Sequence, residues 1–132
     1  MKYLTHLLFI AVILSASACN KNSISPRLKT DANLPGKWKV AGNMISSGGP
    51  MYFVPVDSKD YVNFNTNGSM DGSAFPGFIF YAIKDTLKIS MAKANMVTHR
   101  EYYYKIKSDS LILSPVGPPF CIEGCAIVLV KE

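Results

Sequence analysis

Two stretches of this chain repeat one pattern, and the pattern admits few folds. Tyr81-Ala82-Ile83-Lys84-Asp85-Thr86-Leu87-Lys88-Ile89-Ser90 is echoed, with one inserted residue, by Tyr104-Lys105-Ile106-Lys107-Ser108-Asp109-Ser110-Leu111-Ile112-Leu113-Ser114. Each copy reads as strand, polar turn, strand. Tyr and Ile point to one face, Asp-Thr or Asp-Ser makes the corner, and Leu with Ile or Leu returns on the same face. Period-2 alternation of this kind marks half-buried strands, and Asp beside Thr or Ser is turn chemistry. Two successive hairpins make a meander, and a meander continued far enough closes into a barrel.

The flanking sequence supplies the further strands. Trp38 and Val40 alternate with Lys37 and Lys39, and Val62 and Phe64 alternate with Tyr61 and Asn63. Asn67-Gly68 follows, and Asn-Gly between strands is a strong hairpin signal. Ala126-Ile127-Val128-Leu129-Val130 ends the chain as an apolar strand. Strands are expected at 37–45, 60–65, 69–74, 78–84, 86–91, 100–107, 110–114 and 126–131, an all-β, antiparallel, eight-stranded up-and-down barrel. The last strand would pair with the first around Trp38 and Val40. Alternation turns Ile79, Tyr81 and Ile83 inward and leaves Phe78 and Phe80 outside. Both faces of that strand, and of 127–130, are then apolar, so something must cover them: the 46–58 segment, a partner or lipid.

The N-terminus carries an address. Lys2 precedes the unbroken apolar run Leu7 to Leu14, then small residues Ser15-Ala16-Ser17-Ala18 lead into Cys19. A charged start, a short apolar stretch and a small-residue zone read as a secretory signal; the run is too short for a bilayer-spanning helix, which needs roughly 20 apolar residues. Cys19 directly after small residues resembles the lipobox of bacterial lipoproteins, which implies a diacylglyceryl thioether on Cys19 and removal of residues 1–18. Asn20 in second place, rather than Asp, resembles lipoproteins sent on to the outer membrane. Residues 19–33 are polar and weakly patterned, as expected for a flexible tether, and residues 34–132 hold the folded domain.

With Cys19 acylated, Cys121 and Cys125 remain as an even pair in an oxidising compartment, which favours a structural disulfide. Extended, their α-carbons would lie about 13 Å apart, against the roughly 4.4–6.8 Å that the bond requires. The intervening Ile122-Glu123-Gly124 must therefore bend. Without Lys2 the chain has thirteen basic and nine acidic side chains, and the basic ones are scattered. A nucleic-acid partner would call for a dense basic patch.

The Gly36-x-Trp38 opening, the Phe64-Asn65-x-Asn67-Gly68 hairpin, the repeated Tyr-x-Ile-Lys units and the late Cys-Ile-Glu-Gly-Cys resemble the lipocalin-like domains of small bacterial lipoproteins. The resemblance covers about residues 34–132 and implies an antiparallel barrel open at one end, holding a small apolar ligand. Trp38, Phe64, Tyr81 and Tyr104, inward by alternation, are the candidates to line such a cavity.

Catalytic chemistry has little to stand on. His99 is the only histidine of the mature chain, and no Gly-x-Ser-x-Gly elbow accompanies it. Metal hydrolysis lacks ligands, and no cofactor is called for. The carboxylates Asp57, Asp60, Asp71, Asp85, Glu101, Asp109 and Glu123 fall mostly at expected turns. Two readings stand: a membrane-anchored barrel that binds a small hydrophobic ligand, or a non-enzymatic structural or protein-interaction module with a packed interior. A cavity lined by the four aromatic residues would favour the first, a close-packed barrel the second.

Overall fold

The computed structural model describes residues 29–116 and 125–132. Within them lie nine strands and no helix: β1 (Gly36–Ile45), β2 (Tyr52–Pro55), β3 (Tyr61–Phe64), β4 (Met70–Asp71), β5 (Phe78–Ile83), β6 (Lys88–Lys93), β7 (His99–Lys107), β8 (Ser110–Val116) and β9 (Cys125–Lys131). Eight of them follow one another in the order β4-β3-β1-β9-β8-β7-β6-β5, every neighbour antiparallel, and β2 pairs with β1 beside this path. The path nearly closes on itself. Ser69, next to β4, bridges Phe80 of β5, and the Tyr81 N–H donates to the Gly68 carbonyl at 2.8 Å. The eight-stranded antiparallel barrel expected from the alternation is therefore present.

The repeated units fold as hairpins for local reasons. At the first corner, Asp85 Oδ1 accepts from the backbone N–H groups of Leu87 and Lys88 at 2.8 and 2.9 Å. At the second, Ser108 takes a left-handed φ of 51°, and Lys107 pairs with Ser110. Asn67-Gly68 turns as expected, with Gly68 at φ 85° and Asn67 Oδ1 accepting from the Ser69 N–H. β1 and β9 close the circle, pairing Trp38 with Lys131 and Val40 with Leu129.

The structure corrects two expectations and answers a third. Phe78 is buried in the core, while Ile79 is exposed. A β-bulge between Phe78 and Phe80 inserts one residue into β5, and an extra residue reverses the alternation on one side of it. Tyr81 and Ile83 keep the inward side and pack against the core. Second, the 46–58 segment contains β2, whose Tyr52 to Pro55 pair with Ile45 to Gly42. The ring of Phe53 occupies the space a side chain at Gly42 would need. Gly42 pairs with Val128, so this ring covers part of the outer face on which Ala126 and Val128 are buried. Third, the strand expected at 69–74 is only two residues long, because Gly72 takes φ 127° with the Tyr61 carbonyl against it.

Candidate functional site

The interior of the barrel is a core. Trp38, Val62, Ile89, Leu111, Leu113 and Leu129 have no exposed surface, and Phe64 and Met91 almost none. At one end Phe75 meets Tyr102 edge-on with ring centroids 5.7 Å apart, and Phe78 lies beneath Arg100 and Lys93. The four aromatic residues expected to line one cavity do not do so. Trp38 and Phe64 are packed inside, whereas Tyr81 and Tyr104 reach the rim at the other end. Tyr81 joins the two groups: its ring meets Phe64 edge-on at 5.0 Å, and its hydroxyl donates to the Asn65 carbonyl at 2.7 Å.

That other end is crossed by a strap, residues 29–35. Lys29 bridges Ile83 at the end of β5. Asp31 accepts a hydrogen bond from the Tyr104 hydroxyl of β7 at 3.2 Å, and the Asn33 carbonyl accepts from Lys131 of β9 at 3.0 Å. Leu34 is fully buried, and its carbonyl accepts from the Trp38 indole N–H at 2.7 Å. The stretch 29–33, assigned to the tether by its composition, is thus seated on the barrel. The overlooked signal is the spacing in Asp31-Ala32-Asn33-Leu34. Asp31 accepts from the Asn33 and Leu34 N–H groups, a turn of the kind Asp favours, and it aims an apolar side chain at the mouth.

Strand closure fails beyond the Ser69–Phe80 bridge, and the strap takes over only at the Lys29–Ile83 bridge. Between the two lies a half-open hollow of about 400 Å³. Its apolar walls come from Ala32, Pro35, Tyr81, Ala82 and Ile83, with Lys29, Thr30, Asp31, Thr66 and Gly68 around them. Two more open hollows of similar size border Tyr104, and both share Asp31 with the first. Of the candidate residues, Tyr81 and Tyr104 border these spaces.

Electrostatics at the mouth follow from burial. The Tyr81 phenol is pushed up from the usual range by desolvation. Tyr104 is pushed up to about 12, first by burial and then by the charge and hydrogen bond of Asp31. Elsewhere, His99 is exposed, with Nδ1 3.3 Å from the Val97 carbonyl. No cluster of three metal-ligating side chains occurs among the described residues. Cys125 begins β9 opposite Ile45 and is disulfide-bonded. Cys19 and Cys121 lie outside the described residues. In comparison with known proteins, the chain matches no family model and no curated protein.

Proposed function

We propose that this chain is a lipid-anchored protein of the bacterial cell envelope, held at the outer membrane through Cys19, whose lipocalin-like barrel binds a small apolar ligand without chemical turnover. The ligand seat is the hollow at the seam, not the filled interior. One observation supports this above the others: an apolar hollow of about 400 Å³ stands open beside Tyr81, within the roughly 300–1,000 Å³ usual for small-molecule sites. The apolar run before Cys19 and the small residues at its end support the anchor.

Native mass spectrometry of the protein extracted from its own membrane tests both parts. The expected mature species begins at Cys19, carries acyl mass there, and retains a small non-covalent ligand. A Cys19→Ala protein that loses its signal and still fractionates with membranes would refute the anchor, and a mature barrel with nothing bound would refute the ligand seat.

The second reading, an interaction module, is favoured by β2. Met51, Tyr52, Phe53 and Val56 are exposed together, and among the described residues β2 pairs with β1 alone. Such an edge invites another strand. Photo-crosslinking from position 52 in intact cells would yield one discrete adduct on this reading and none on the first.

A further inference from the structure

We propose that β2 is the contact through which two copies of this chain pair, strand against strand, about a two-fold axis at Phe53. This rests on the interaction reading and names its partner as a second copy. β2 lies along the half of β1 away from the strap, so the seam hollow stays free.

The direction of the backbone groups follows from one hydrogen bond. The Val56 N–H donates to the Ala41 carbonyl at 2.9 Å, one step on from the Gly42–Pro55 pair. In an antiparallel ladder, bonded pairs alternate with non-bonded ones. Val54 and Tyr52 therefore also turn their N–H and C=O groups to β1, while Met51, Phe53 and Pro55 turn theirs to the free edge. The Val54 carbonyl agrees, since a side chain at Gly42 would strike it. So does Pro55, because a strand accepts proline where no ladder N–H is needed.

That free edge matches its own two-fold image. With Phe53 set opposite the partner's Phe53, each donates its N–H to the other's carbonyl. Met51 then faces the partner's Pro55 and donates to its carbonyl. Every outward N–H is used, and only the Met51 carbonyls, at the two ends, are left to water. The exposed Tyr52 meets the partner's Val54 on one face, and the two Phe53 rings meet on the other, as cross-strand pairs.

Charge favours a copy over a foreign strand. From Ser46 to Val56 the chain carries no charged side chain. A foreign partner steered by charge would find nothing to read here, whereas two copies of one net-positive chain meet where neither repels the other. Sheet edges are commonly guarded by lysine; this one has only Pro50 and Pro55, which confine the pairing to a short stretch. A two-fold contact uses the same patch on both copies, so assembly stops at two. A contact of about six residues a side is smaller than the roughly 20–30 of a standard complex, and the pair is weak in free solution. Copies anchored in one membrane meet at a raised effective concentration.

The test uses the full chain in intact cells. Photo-crosslinking from position 52 is expected to give one adduct of twice the mature mass. Phe53→Cys should join two copies by a disulfide, since opposed bonded residues lie about 5.5 Å apart at Cα, within the range that bond accepts. Met51→Cys and Pro55→Cys, each about 14 Å from its own counterpart, should not. An adduct on a different protein would overturn the second copy and leave the interaction reading standing; no adduct would overturn both. Self-adducts from position 52 without the Phe53→Cys bond, or with equal bonding at 51 and 55, would overturn the two-fold pairing.

Discussion

Replacing Trp38 by Phe separates the strap's contribution from that of the core. The indole N–H is the donor to the Leu34 carbonyl, at 2.7 Å and away from solvent. Phenylalanine keeps an aromatic ring in the barrel but leaves that carbonyl without its donor. A buried polar group stripped of its partner costs about 1–3 kcal/mol. The smaller ring also leaves a void, which at ~24 cal/mol per Å³ adds on the order of 1 kcal/mol. The expected loss is therefore about 2–4 kcal/mol, with a fall in Tm of about 4 °C or more for each kcal/mol in a domain of this size. Urea denaturation followed by circular dichroism gives the free energy. Hydrogen exchange gives its location: Leu34, whose N–H donates to Asp31 O at 3.1 Å, should lose protection before the β8 and β9 amides do. A loss below about 1 kcal/mol, or uniform loosening with no preference for the strap, would refute the claim that this hydrogen bond fastens the mouth.

Three further outcomes are expected. Gly42→Ala sets a methyl group against the Val54 carbonyl and within 2.6–2.7 Å of the Phe53 ring; the overpacking should cost about 1–3 kcal/mol and speed exchange at Val56, whose N–H bonds to Ala41, and an unchanged Tm would contradict that packing. The raised Tyr104 pKa means that the folded state keeps a proton the unfolded state releases between pH 10 and about 12; stability from this group is complete below pH 10 and is lost as pH rises through that window, so Tyr104→Phe should flatten the alkaline fall of Tm, and an identical pH profile would refute it. The double change Cys121→Ser/Cys125→Ser should cost about 2 kcal/mol if the two close a small ring; two titratable thiols in freshly exported, denatured, non-reduced protein would rule the ring out.

What the sequence determined by itself is the barrel and most of its strands. Alternation and corner chemistry are local: a Tyr-x-Ile face, an Asp that can accept the next N–H groups, or an Asn-Gly dipeptide acts over two to six residues and needs no distant partner. The closing pair of β1 with β9 was legible as well, because an apolar final strand must find an edge and the first strand offers one. The bulges were not legible. Between Val40 and Gly42, and again between Phe78 and Phe80, one extra residue changes neither composition nor turn signals, yet it decides which side of Phe78 and Gly42 the core lies on. Nor was the strap. Composition recorded Thr30-Asp31-Ala32-Asn33 as too polar to hold a fold, but its place is decided by Leu34 burial and by hydrogen bonds to Tyr104 and Lys131, residues more than seventy positions away. Tertiary structure alone therefore filled the interior around Trp38 and Phe64 and moved the available space to the seam. That follows from where strand pairing stops, a property of the closed sheet that no single strand carries.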